Sequence, residues 1–121
     1  MAQCSKSSLC SVSDPTGLIF EKAAEKIHEA GFTVVRDPIE GFVTFEDAEF
    51  DANYMNWIVG NGFVVTTGYD DDHLDDRARV RLQSYFPERE IHVLPMLESW
   101  AAGGGIHCHT NDQPILSSVA K

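Results

Sequence analysis

A chain of 121 residues and 13.4 kDa has room for one small domain, burying about 65% of its unfolded surface. Its 43% hydrophobic and 23% charged residues are ordinary globular composition and exclude intrinsic disorder. Nineteen acidic against nine basic residues give a formal net charge of -10, a field that repels phosphate backbones, argues against a nucleic-acid partner and draws in small cations.

Residues 1–16 are rich in Ser and read as a flexible leader, and residues 17–121 as a single α/β domain. Leu18, Ile19, Ala23, Ile27 and Ala30 recur at helical spacing and predict a helix closed by Gly31. Phe32–Arg36 is a strand candidate ended by Asp37-Pro38. Phe42–Phe45 is another, and the acidic run after it, with Glu46, Asp47, Glu49 and Asp51, reads as a loop. Tyr54–Val59 and Phe63–Thr67 predict a hairpin across Asn61-Gly62, a pair that favours a type I′ turn. Leu74–Tyr85 follows as a helix with Leu74, Ala78, Leu82 and Tyr85 on its apolar face, Asp75, Asp76, Arg79 and Arg81 on its polar one, and Asp72 as N-cap. Ile91–Leu94 is a short strand, and a polar break leads to Gly103-Gly104-Gly105. Strand, strand, helix, strand is the order of an α/β module with mixed strands.

Three cysteines, Cys4, Cys10 and Cys108, suggest no disulfide framework, and a reducing cytoplasmic setting is the default expectation. No Cys or His spacing matches a zinc site. No stretch approaches the apolar length of a membrane span. The run Asp70, Asp71, Asp72, Asp75 and Asp76 lacks the glycine and terminal glutamate of a calcium loop and reads as a solvated helix start. Gly103–Gly105 is no phosphate loop, because no Lys-Ser/Thr follows. By composition alone Cys108 is a buried, inert cysteine, and Trp57 and Trp100 are packing residues.

Three ordered blocks change the reading of Cys108: NYMNWIVGNGFVV from Asn53, YFPEREIHVL from Tyr85, and GGGIHCHTNDQP from Gly103 to Pro114. Together they resemble the end of the agmatine deiminase and bacterial (Porphyromonas-type) peptidylarginine deiminase family of guanidino-group modifying enzymes. The resemblance implies one ββαβ-type module, with part of a preceding one, of a pentein-like α/β propeller closed around a central pocket. It implies a hydrolase that converts a guanidine to a urea and ammonia through a covalent thiouronium intermediate, with no cofactor. Cys108 matches the nucleophile. Gly104 and Gly105 match backbone that approaches the substrate, with Thr110 also placed at substrate and His107 and Asn111 in support. Thr110 and Asn111 equally suit hydrogen bonds near the nucleophile or a cap on the following turn, and Pro114 ends the segment. On an extended segment His107 and His109 would point away from Cys108, and His109 departs from the hydrophobic residue usual there.

The family's acid–base histidine and its two substrate-binding carboxylates come from earlier modules. The chain therefore reads as an end fragment or shortened form of the propeller, completed by its remaining modules or by other copies, and acting on a small cationic guanidine. The alternative is a non-catalytic shortened relative that oligomerises or binds a partner through exposed strand edges.

Overall fold

The computed structural model describes residues 2–4 and 15–113. Pro114 and Cys10 lie outside them. In chain order the elements are β1 (Ala2–Cys4), α1 (Pro15–Glu29), β2 (Arg36–Pro38), β3 (Phe42–Phe45), β4 (Ala48–Asp51), β5 (Trp57–Gly60), β6 (Phe63–Gly68), α2 (Asp72–Tyr85), β7 (Glu90–Pro95) and α3 (Leu97–Ala101), followed by a 3-10 turn over Ile106–His109. This is an α/β fold. Among the described residues no helix is long and apolar enough to cross a membrane.

The three strands β5-β6-β7 form a sheet on which α2, α3 and the 3-10 turn pack. β5 and β6 run antiparallel, pairing Trp57 with Thr66 and Gly60 with Phe63. β6 and β7 run parallel, pairing Val64 with Ile91 and Thr66 with Val93. A parallel pair needs a crossover, and α2 supplies it. Val64, Leu82 and Ile91 bury one another between α2 and the sheet, with Trp57, Tyr85 and Phe86 packed around them. Side chains alternate along a strand, so Thr67 emerges on the face opposite Val64 and Thr66. That face receives the 3-10 turn.

A second core gathers Val43, Ala52, Tyr54, Tyr69, Ala78 and Leu97, flanked by Phe45, Phe50, Leu74, Val93 and Trp100. Tyr69 stands edge-on to both Tyr54 and Trp100, at 5.1 and 5.6 Å between ring centroids, the arrangement favoured by aromatic quadrupoles. Trp57 meets Phe86 in the same way at 5.7 Å. Both tryptophans are thus packing residues.

Several expectations from the sequence need correction. The strand expected at Phe32–Arg36 lies instead at Arg36–Pro38, where β2 pairs in parallel with β1. Phe32 is held by the end of α1: its N–H reaches the Ile27 carbonyl at 3.2 Å while Gly31, at φ 88°, donates to His28 at 2.9 Å. Those two bonds are the left-handed helix stop that glycine favours. α1 buries Ala24, whereas Leu18 and Ile19 of its expected apolar face are exposed. The acidic run after Phe45 is not a loop. It forms β4, which pairs Phe50 with Val43 and turns through Glu46 at φ 52°. Tyr54 and Met55 precede the strand, which starts at Trp57. The Asn61-Gly62 turn is not type I′, since only Gly62, at φ 84°, has the positive φ that both central residues would need. The N-cap of α2 is Asp71 rather than Asp72: its backbone is extended, and its Oδ1 accepts from the N–H groups of His73 and Leu74 at 3.1 and 3.0 Å. The polar break contains α3.

Two residues of the polar face of α2 are structural, and one of them, Asp75, belongs to the run read as a solvated helix start. Asp75 Oδ1 accepts the Tyr54 hydroxyl at 2.5 Å and the Tyr69 N–H at 3.1 Å. Arg81 grips the buried Asp37 with two bonds, Nε to Oδ1 at 2.6 Å and a terminal nitrogen to Oδ2 at 3.1 Å, and Tyr85 donates to Asp37 Oδ1 at 3.0 Å. Glu40 adds ion pairs to Arg81 and Arg77. The cluster fastens the segment after α1 to the back of α2.

Asp37→Ala removes the acceptor of two Arg81 bonds and of the Tyr85 hydroxyl while Glu40 still pairs with Arg81, so it is expected to cost about 1–3 kcal/mol in urea unfolding. A loss near that of a surface ion pair, about 0–1 kcal/mol, would count against the clamp. Burial pushes the Asp75 carboxyl above its ordinary value, although the bonds from Tyr54 and Tyr69 pull it down. The folded state therefore holds the Asp75 proton more tightly than the unfolded chain. This contribution to stability is full below the ordinary carboxylate range and is lost as pH rises through the raised folded value. The pH slope of stability should accordingly be smaller in Asp75→Asn than in the parent across that window, as followed by thermal melts. Parallel curves would contradict it.

Candidate functional site

Cys108 lies in the 3-10 turn Ile106–His109 and is an exposed, free thiol. The inert, buried cysteine that composition favours is not what the fold contains. The segment is not extended. The chain coils here because Cys108 N–H returns to the Gly105 carbonyl at 3.1 Å and Thr110 N–H to that of His107 at 3.3 Å.

The turn is docked by two side chains from the hairpin. Asn56, just before β5, accepts the His107 N–H on Oδ1 at 2.8 Å and offers Nδ2 to Cys108 Sγ at 3.4 Å. Thr67, in β6, accepts the Ile106 N–H on Oγ1 at 2.9 Å. Asn56 is itself fixed, because its backbone carbonyl accepts the Thr67 N–H at 3.4 Å and the chain on either side is anchored by buried Tyr54 and by Trp57. Asn53 Oδ1 also caps the bend by accepting the Met55 N–H at 3.0 Å.

The glycines are what let the turn come this close. A Cβ on Gly105 would stand 2.3 Å from Thr67 Oγ1 and 2.6 Å from Asn56 Oδ1, well inside contact. Gly104 is tight against Cys108, and Gly103 holds φ 106°, a conformation that disfavours side chains. Gly103 N–H and Gly104 N–H close the end of α3 on Trp100 and Ser99 at 2.9 and 3.1 Å.

The other residues singled out in the sequence divide. Thr110 Oγ1 donates toward the carbonyls of Ile106 and His107, at 3.1 and 3.2 Å, and so caps the turn. His107 enters the network through its backbone, and its ring is exposed, as is Asn111 beyond the turn. Glu46, Asp47 and Glu49 are exposed around the β3–β4 hairpin, and Asp51 is half-buried at its end. Among the described residues no cluster of His, Cys, Asp or Glu is arranged to hold a metal ion. Asn56, Thr67 and Ser99 escaped the sequence reading. Asn56 and Thr67 stand inside blocks whose pattern is that of a strand pair, and nothing local says that their polar groups face a turn some forty to fifty residues on.

Comparison with known proteins follows the same outline. Residues 17–114 match the family model of Porphyromonas-type peptidyl-arginine deiminase. The agmatine deiminase of Pseudomonas savastanoi pv. phaseolicola is 40% identical over 62 residues, which are 51% of this chain and 17% of that protein. That of Pseudomonas aeruginosa is 42% identical over 62 residues, with the same shares. The chain thus spans about a sixth of the length of these relatives. Among solved structures, C. jejuni agmatine deiminase superposes with a TM-score of 0.64 at 22% identity, over 88% of this chain and 31% of that one, a likeness of fold.

Gly105→Ala forces Thr67 or Asn56 to move and is expected to destabilise the fold by about 1–3 kcal/mol through overpacking. It should also loosen the 3-10 turn, seen as faster amide hydrogen exchange at Ile106 and His107. Exchange unchanged at both positions would refute the close approach.

Proposed function

Because the chain belongs to the Porphyromonas-type peptidyl-arginine deiminase family, we propose that it is the nucleophile-bearing module of a guanidine hydrolase, with Cys108 attacking the guanidinium carbon. The observation that carries this reading is the presentation of the thiol: exposed on a short turn, with Asn56 Nδ2 at 3.4 Å as its hydrogen-bonding partner. A thiol that served packing would not be built onto a turn docked by two backbone N–H bonds to hairpin side chains and left open to solvent.

In the proposed reaction the Cys108 sulfur forms a bond to the guanidinium carbon and ammonia departs. Water then displaces sulfur from the thiouronium to leave a urea. The negative field of the chain favours approach of a cationic guanidine. Agmatine and peptidyl-arginine both present the required group. Gly104, Gly105 and the turn that Thr110 caps provide the backbone that borders it. The resemblance assigns two guanidinium-binding carboxylates and a histidine to other modules of a pentein-like propeller. The reading is accordingly of a module completed by further chain or by other copies, in the cytoplasm.

A second reading, a non-catalytic module that oligomerises, draws on the apolar side chains left exposed. Phe32, Val59, Val80 and Ile19 are half or more exposed, and among the described residues β5 and β7 are sheet edges.

The two readings separate on chloroacetamidine, an alkylating mimic of the guanidinium group, followed by peptide mass spectrometry. Cys108 is expected to label at least about tenfold faster than Cys4 and Cys10 and to do so saturably. Equal labelling of all three, together with a concentration-independent oligomer, would favour the second reading.

A further inference from the structure

The hairpin holds the Cys108 turn at Ile106 and His107, and α3 holds it at Gly104 and His109. The α3 contacts all come from Ser99. Its carbonyl accepts the Gly104 N–H at 3.1 Å, and its hydroxyl donates to the Gly104 carbonyl at 2.8 Å. The hydroxyl oxygen also lies 2.7 Å from His109 Nε2. A serine hydroxyl has one proton. With that proton on the Gly104 carbonyl, Oγ accepts from Nε2–H, which the ring bears in one neutral tautomer and when protonated. No proton has to move for the bond to hold.

These bonds bracket the cysteine, with Gly104 before it in the chain and His109 after it. Gly104 is buried, and a Cβ built on it would stand 3.1 Å from Cys108 Cβ and 3.7 Å from its Sγ. The Cys108 side chain thus rests directly on Gly104, whose N–H and carbonyl are both taken by Ser99. A buried carbonyl without a donor is costly. Loss of the Ser99 hydroxyl would therefore drive the Gly104 peptide to reorient, and the cysteine standing on it would shift.

We infer that Ser99 is a positioning residue for Cys108, clasping Gly104 and the His109 ring so that the sulfur stays against Asn56 Nδ2 and open to the guanidinium carbon. The inference rests on Cys108 being the nucleophile. His109 serves here as a tether, and acid–base catalysis stays with the histidine that the resemblance places in another module. The clasp acts through placement alone. A misplacement of a reacting atom by about 1 Å can cost two orders of magnitude in rate, so a small shift of Gly104 is felt at the sulfur.

The test is chloroacetamidine labelling of Cys108 on the full chain, read by peptide mass spectrometry as a limiting rate and a half-saturating concentration. Ser99→Ala is expected to lower the limiting rate by at least about fivefold, with the half-saturating concentration changed by less than about twofold. His109→Leu, which removes only the ring bond, should give an intermediate rate. Ser99→Thr keeps a hydroxyl, and His109→Gln has an amide that donates in place of Nε2–H; both should recover most of the parent rate. A residue that merely supported the fold would shift thermal melting without this pattern of loss and recovery. Circular dichroism establishes that each variant is folded, and the two His109 variants carry the test if Ser99→Ala is not. Parent-like rates in Ser99→Ala and His109→Leu, or a His109→Gln rate as low as that of His109→Leu, would overturn the inference. Failure of the nucleophile reading shows in the parent chain alone, as no saturable preference of Cys108 for chloroacetamidine over iodoacetamide.

Discussion

The close approach of Gly105 to Asn56 and Thr67 is the constraint on which the site depends. Without a side chain there, the backbone settles against two polar groups of the hairpin, which then satisfy the N–H groups of Ile106 and His107. An irregular segment has few backbone partners of its own, and unpaired N–H groups are costly to bury. Lending it Asn56 and Thr67 turns a loose glycine-rich stretch into a defined 3-10 turn. Cys108 inherits its position from that docking rather than from its own packing.

The hairpin can serve as a dock because it is braced from the other side. Tyr54, two residues before Asn56, is wholly buried and donates its hydroxyl to Asp75 of α2, while Tyr69, just after Thr67, donates its N–H to the same carboxylate. Burial, with the Asp75 carboxylate adding to it, holds the Tyr54 phenol protonated well above the ordinary tyrosine value. One carboxylate thus ties both ends of the docking surface to the crossover helix. Arg81, on the same helix, fixes the earlier segment through Asp37. Helix α2 is therefore the common anchor of the early segment and of the sheet, and the nucleophile turn rests on the opposite face.

This arrangement explains why helical periodicity does not distinguish the braces on α2 from surface charge. Helical periodicity separates Leu74, Ala78 and Leu82 from Asp75 and Arg81, and the apolar assignment holds. The polar side, however, does not face water throughout. Asp37 and Tyr54 are brought to it by chain folding, and a charge with a distant partner looks the same in sequence as a charge with none. A similar limit applies to β4, where an acidic composition hides a strand that pairs Phe50 with Val43. The 3-10 turn shows a third limit: glycine signals freedom, and only its surroundings say how that freedom is spent.

The sequence by itself determined the order of elements from residue 57 to residue 95, the apolar face of α2, the glycine stop of α1 and, through three ordered blocks, the family. All of these follow from local periodicity, local backbone preference or contiguous motif, and each is written within a dozen or so residues. Only the tertiary structure decided that Asn56 meets the Cys108 sulfur, that Thr67 holds Ile106, that Ser99 holds the His109 ring, and that Asp37 and Asp75 are braces rather than surface charge. Most of these contacts join residues ten to fifty positions apart. Their existence depends on sheet register and crossover geometry, which the spacing of residue types along a chain does not encode.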